Sequence, residues 1–158
     1  MKRNIVLFIL GAAVIVALDQ ITKAAISSRF SMHESYGVIN GFLNLVYVMN
    51  PGAAFGFLAG ASEDFRHIFF IGITIIAILL IIYYLVKNKP RSIVIVISLT
   101  LIFAGAVGNL VDRICFGAVV DFLDVYVGTC HWPAFNVADS AISIGAVLMI
   151  WEIIINRK

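Results

Sequence analysis

The chain has 158 residues, 62% of them hydrophobic and 13% charged, with a mean hydropathy of +1.06 and a formal net charge of +2. Soluble domains carry about 45–50% apolar and about 25% charged residues. The composition therefore excludes an ordinary soluble enzyme, gives no reason to expect a nucleic-acid partner, and points to a single membrane-embedded unit over residues 1–158.

Asn4–Ala25 is the first segment long enough to span, since a helix needs about 20 apolar residues to cross. Lys2 and Arg3 ahead of Ile5–Leu18 also resemble the start of a secretory signal peptide. No small-x-small cleavage site follows Leu18, however, and the chain runs straight into Asp19-Gln20, so a retained anchor is expected. In the connection from Ser27 to Asp64, Leu43, Leu45 and Tyr47 alternate with Asn44, Val46 and Val48, and Gly37, Asn40 and Gly41 supply turns. This pattern predicts short strands. An open sheet edge cannot sit in lipid, so the sheet is expected at the outer membrane surface. Asn50-Pro-Gly-Ala-Ala-Phe55 closes the connection. Pro51 biases Asn50 toward extended backbone, and Gly52 permits close backbone approach. The segment is open to two readings, a turn returning to the membrane surface or an amide and exposed backbone set out to hold a peptide.

Phe65–Val86 and Ser92–Val111 are the next two predicted spans, joined by the short connection Lys87-Asn-Lys-Pro-Arg91. The loop Phe116–Phe135 follows, long enough for a short helix plus turns, and Pro133 helps define where the last span, Val137–Ile155, begins. Lys2, Arg3, Lys87, Lys89, Arg91, Arg157 and Lys158 all fall on one side of this layout. Basic loops face the cytoplasm, so both termini are expected inside. Asp19, Glu34, Glu63, Asp64, Asp112, Asp121, Asp124 and Asp139 fall at or beyond the opposite ends, and Glu152 alone is acidic on the basic side. The expected fold is mainly α and polytopic. It has four transmembrane helices, a small extracytoplasmic β-sheet between the first two, and a loop or short helix between the last two.

An ionised Asp at mid-bilayer costs about 2.5–3.5 kcal/mol on insertion scales, and less toward the interface. Asp19, Asp112 and Asp139 all lie in the outer parts of their spans, which marks a site at that face. Gly105, Gly108, Asn109 and Asp112 stand at i, i+3, i+4 and i+7, one stripe of a helix. The glycines let a neighbouring backbone approach. Asn109 and Asp112 fit structural support or direct function equally. Arg113 is either a cation suited to a helix C-terminus, pairing with Asp112, or a guanidinium fork for a carbonyl. Asp19 and Lys23 are at i, i+4, as in a structural clamp. Asn136 suits an N-cap with Asp139 three residues on. If Asp121 folds back beside Asp139, the two carboxyls share a proton, and such a pair activates water and protonates a leaving amine. Spacing alone does not establish that meeting. His33, His67 and His131 lack metal-ligand spacing, so no metal is expected. Cys115 and Cys130 are either paired or free thiols, and Trp132 and Trp151 suit the two interfacial belts.

Five blocks, Asp19-Gln-Ile-Thr-Lys23, Asn50-Pro-Gly-Ala-Ala-Phe55, Gly105-Ala-Val-Gly-Asn-Leu-Val-Asp-Arg113, Val119-Val-Asp-Phe122 and Phe135-Asn-Val-Ala-Asp139, occur in an order that resembles the bacterial lipoprotein signal peptidases, the type II signal peptidases. They cover nearly the whole chain. The resemblance implies an aspartic endopeptidase of the bacterial inner membrane, with its active site toward the extracytoplasmic face. Its substrates would be prolipoproteins whose cysteine carries a diacylglyceryl group, cut just before that cysteine. By motif, the catalytic pair falls on Asp121 and Asp139. Supporting positions fall on Asp19, Lys23, Asn50, Gly52 and Gly105, and on Asn109, Asp112, Arg113, Asn136 and Ala138. Asp124 lies outside the family pattern and is expected to be a solvated rim charge. No metal or organic cofactor is implied, and the chain is read as a monomer among membrane lipids. A carrier would need polar groups near mid-membrane, where these spans are apolar. A non-catalytic scaffold would tolerate Asp→Asn at 121 and 139.

Overall fold

The computed structural model describes residues 2–52, 58 and 60–155. Ala53, Ala54 and Phe55 of the Asn50–Phe55 block, the terminal Arg157 and Lys158, and the Lys2 side chain lie outside the described residues. In chain order come α1 (Lys2–Arg29), β1 (Ser35–Ile39), β2 (Leu43–Asn50), α2 (Glu63–Asn88), α3 (Ile93–Phe116), β3 (Val119–Val127), β4 (Cys130–His131) and α4 (Val137–Ile155). Among the described residues four helices are long and apolar enough to cross a membrane, as expected. α1 and α3 run on past the predicted spans to Arg29 and Phe116. A helix can continue into water until a stop signal ends it, and Gly117 ends α3 in the left-handed conformation (φ 77°) with its N–H on Arg113 O.

α3 is the central helix. It packs against α1, α2 and α4 and buries Val96, Leu99, Ala104, Gly105, Gly108 and Asn109. The other three helices turn large apolar side chains outward, among them Leu10, Ile21, Ile68, Leu80, Val147 and Ile154. Such a surface is a liability in water and suits lipid. Ser62 caps α2 by accepting from Phe65 N at 3.3 Å, and Ser92 caps α3 by accepting from Ile95 N at 3.4 Å. Asn4 Nδ2 donates to Pro90 O at 3.1 Å, and Ser92 Oγ donates to Glu152 Oε1 at 2.5 Å. These two bonds gather the start of α1, the α2–α3 connection and the end of α4 at one end of the bundle.

The sheet is antiparallel in the order β1-β2-β3-β4. β1 and β2 are the expected hairpin strands. The segment after α3 corrects the sequence expectation: no short helix forms between Gly117 and Asn136, and β3 pairs along β2 instead, with Val48 opposite Asp121 and Asn50 opposite Val119. The physical reason is twofold. Val119, Val120, Phe122, Val125, Tyr126 and Val127 are β-branched or aromatic, and β2 would otherwise present an unpaired edge. On its other side, β3 is held by Phe135, whose carbonyl accepts from Phe122 N at 3.0 Å and Leu123 N at 2.8 Å. Asp121 therefore sits on a strand fixed along both edges, one of them by the segment that leads into α4.

Candidate active site

Two side chains on α1 organise the polar end of the bundle. Lys23 Nζ lies 2.8 Å from Asp19 Oδ2 and 2.9 Å from Asp112 Oδ2, and donates to Asn109 Oδ1 at 3.0 Å. All three ammonium protons thus have partners. Lys23 is 3% exposed, Asp19 0% and Asp112 1%, so the ion group has left water entirely. Burial at this depth is tolerable only when every charge is paired and bonded. Gln20 completes the group, donating from Nε2 to Asp112 Oδ1 at 3.0 Å and to Asp19 Oδ2 at 3.2 Å. The expected Asp19–Lys23 clamp is present, and it reaches a second helix that the i, i+4 spacing does not reveal.

The clamp also fixes the elements that carry the other acids. Asp19 Oδ1 accepts from Ala138 N at 2.9 Å, in the first turn of α4, where the helix dipole favours negative charge. Asp112 Oδ2 accepts from Val120 N at 3.0 Å, next to Asp121 on β3. Close approach of α3 makes this possible. A Cβ on Gly108 would stand 2.5 Å from Asp19 Oδ2, and one on Gly105 would collide with Ala138 O. The predicted glycine stripe is thus the seam along which α1, α3 and α4 meet, and Ala138 is 0% exposed within it.

Asn136 links the two candidate carboxylates. As the residue before α4 it accepts from Asp139 N at its Oδ1 (2.8 Å), while Asp139 Oδ2 accepts from Asn136 N at 3.3 Å. This is the expected reciprocal cap, with Asp in place of the usual Glu. Its Nδ2 donates to Asp121 Oδ1 at 2.7 Å, so one buried residue bonds both carboxylates, Asp121 from its side chain and Asp139 from its backbone. Asn109 Nδ2 donates to Asp139 Oδ1 at 2.7 Å. Asn50 Nδ2 donates to Asp121 Oδ2 at 2.9 Å, and its own Oδ1 accepts from Gly52 N at 3.0 Å. Each carboxylate is therefore oriented by amides on both oxygens. Burial pushes the Asp121 carboxyl up to about 7; the bonds from Asn50 and Asn136 oppose this and the charge of Asp139 reinforces it. A carboxyl poised near neutrality can hold or release a proton at working pH.

Arg113 does not pair with Asp112, which is turned to Lys23. Its guanidinium lies over the Phe70 ring of α2, 5.3 Å from the centroid, and Nη1 reaches Asn109 O at 3.5 Å. From there its charge acts on Asp139, Asp121 and Asp112. Asp124 overturns its expectation as a solvated rim charge. It is buried, accepts from Asn44 Nδ2 at 2.8 Å and lies 2.8 Å from His131 Nδ1. His131 in turn stacks on Tyr126. Asp124 ties three strands together, a role set by strand register that no local sequence pattern signals. Cys115 and Cys130 are free and exposed. Among the described residues no group of three His, Cys, Asp or Glu is arranged to hold a metal.

The arrangement has close counterparts among known proteins. The family model described as signal peptidase (SPase) II matches residues 11–155. The chain is 54% identical over 158 residues to the lipoprotein signal peptidase of Syntrophus aciditrophicus, covering 100% of this chain and 98% of that one. It is 44% identical over 158 residues to the lipoprotein signal peptidase of Geobacter metallireducens, with 100% and 96% covered. Two solved bacterial membrane enzymes, determined by the in meso method at 2.3 Å and 1.9 Å resolution, share the fold. The first superposes with a TM-score of 0.83 at 37% identity, covering 96% of this chain and 91% of its own. The second has a TM-score of 0.84 at 34% identity, covering 96% and 94%.

Proposed function

This chain belongs to the signal peptidase II family, and we propose that it cleaves diacylglyceryl-modified prolipoproteins just before the lipidated cysteine, by an aspartic mechanism on Asp121 and Asp139. The observation that carries this reading is that one residue, Asn136, bonds both carboxyl groups, Asp121 through its side-chain Nδ2 and Asp139 through its backbone N–H, which ties them into one unit. In the proposed reaction a water lies between the two acids. The ionised carboxylate takes a proton from that water as its oxygen attacks the scissile carbonyl. The other carboxyl holds the proton of the pair, which Asp121, raised to about 7, can carry near neutrality, and gives it to the leaving nitrogen. No step needs a cofactor.

The remaining residues position this pair. Asn50 and Asn109 fix the outer oxygens of Asp121 and Asp139, and Gly52 fixes Asn50. Asp19, Lys23 and Asp112 lock α1, α3, α4 and β3 around them, and Gly105 and Ala138 bring the backbones together. Arg113 adds a cation beside the acids, suited to the charge that builds on the scissile carbonyl. An extended peptide would lie along the sheet side of the site, near Asn50. The reading places the chain in the bacterial inner membrane as one monomeric unit. Arg3, Lys87, Lys89 and Arg91 would face the cytoplasm, and the acids the opposite face. The lipid on the substrate would keep its cleavage site at that surface.

The test is purified protein in detergent micelles, given a prolipoprotein with and without its diacylglyceryl group, with product masses read by mass spectrometry. Cleavage immediately before the modified cysteine, and little without the lipid, is expected. Cleavage elsewhere, or with no preference for the lipidated form, would refute the assigned substrate class.

A further inference from the structure

A cavity of about 590 Å³ opens at the end of the bundle away from the carboxylates, between the start of α1, the end of α2 and the start of α3. That volume falls within the ~300–1,000 Å³ of sites that hold small molecules. Its walls are apolar, with Phe8 and Ile9 of α1 facing Ile82 and Val86 of α2, and Lys89 and Arg91 line it as well. Both cations are exposed. They stand on a fixed connection: Lys89 closes α2 in the left-handed conformation (φ 45°), and Asn4 pins the carbonyl of Pro90 between them.

Their charges are uncompensated. Among the described residues neither Lys89 nor Arg91 forms an ion pair. The acid at this end, Glu152, is bonded to Ser92. Lys87, by contrast, is occupied, donating to Tyr83 Oη at 2.7 Å and lying over the same ring. Two free cations beside an apolar cavity match an amphiphile with an anionic head and a hydrocarbon tail.

We propose that this cavity binds one anionic phospholipid, with an acyl chain between α1 and α2 and the phosphate on Lys89 and Arg91. Charge selects this occupant over others. A signal peptide carries a basic leading region, which the two cations repel, and a second copy of the chain would bring the same cations against themselves. Val86 lies at the cavity and is 69% exposed, so the cavity is reached sideways from the lipid phase.

The test is native mass spectrometry of the full chain after delipidation and reconstitution with phosphatidylcholine containing a minor share of phosphatidylglycerol. One phosphatidylglycerol is expected to remain per chain in preference to phosphatidylcholine. Lys89→Asn with Arg91→Gln should lower that retention roughly tenfold, Asn being tolerated in the left-handed conformation. Val86→Trp, which fills the cavity, should lower it too, and Lys87→Gln should not. Soluble glycerol phosphate should fail to displace the lipid. Equal retention of the two lipids by the unsubstituted chain overturns the proposal, whatever the folding of the variants. So does an equal loss in Lys87→Gln, which would mean diffuse surface charge. Displacement by glycerol phosphate overturns it as well, since the chain would then contribute nothing.

Discussion

At one end of the helices Lys23 is sealed between Asp19, Asp112 and Asn109, while at the other Lys89 and Arg91 are exposed and have no carboxylate partner among the described residues. The same residue types therefore do different work at the two ends. Buried charge at the carboxylate end is tolerable because every group has a partner, and that mutual dependence fixes α1, α3, α4 and β3 in one geometry. Charge at the opposite end is hydrated, fixes little, and is left available to a headgroup. The paired, buried charge is the part of the molecule bonded to the backbone beside Asp121 and Asp139. The lesson is that substitutions at the first end should be severe and specific, and those at the second mild.

The contrast can be broken by substitution, and the largest effect is expected at the acids themselves. Asp121→Asn and Asp139→Asn should each lower cleavage of a lipidated prolipoprotein by about 10²–10⁴-fold, the range for loss of a general acid or base, with the melting temperature in micelles near that of wild type. Appreciable turnover in either variant would remove that residue from the chemistry. Next comes Lys23→Met, which leaves two carboxylates facing each other without their cation. Removing one partner of a buried ion pair costs about 3–5 kcal/mol, so this variant should melt far below wild type, whereas Lys89→Asn should melt close to it. Similar melting temperatures for the two would erase the distinction between the ends.

A glycine pair sharpens the comparison further. Gly105→Ala forces a methyl onto the backbone carbonyl of Ala138, and neither helix can give way cheaply; a cost of about 1–3 kcal/mol is expected from overpacking. Gly72→Ala on α2 meets nothing within 4 Å, and helix propensity should make it neutral or slightly stabilising. Thermal unfolding of the two variants side by side measures the difference. The smallest effect is expected for Asp124→Asn. It weakens the ties to Asn44 and His131 by about 1 kcal/mol, lowers the melting temperature slightly, and leaves cleavage within a few-fold of wild type. Loss of cleavage there would mean that the register of β3 depends on this charge.

Much of this molecule was legible from local pattern. The four spans are long runs of one character. The Gly105–Asp112 stripe has helical spacing, the Asn136–Asp139 cap is three residues long, and the alternation at Leu43–Val48 marks a strand. What pattern could not show depends on contacts distant in sequence. β3 is buried on both faces through Asp121 and Phe122, so alternation is erased, and its partner lies some seventy residues earlier, as in the Asn50–Asp121 bond. The second partner of Lys23 is on another helix, and Arg113 finds the Phe70 ring rather than its neighbour Asp112. The burial of Asp124 follows from the register that sets it opposite Asn44. Physical reading of single segments finds the acids, and only assembly shows which amides hold them.

The central claim is that Asp121 and Asp139 behave as one proton-sharing unit. Infrared difference spectroscopy of the protonated carboxyl stretch, followed against pH, tests it directly. The Asp121 carboxyl is raised to about 7, so its neutral form is held below that pH and lost as pH rises through it. A protonated carboxyl band titrating near pH 7 is expected, absent in Asp121→Asn and shifted to lower pH in Asp139→Asn, where the neighbouring charge is gone. A wild-type protein with no carboxyl titrating near neutrality, or a band that Asp139→Asn leaves unmoved, would contradict the account.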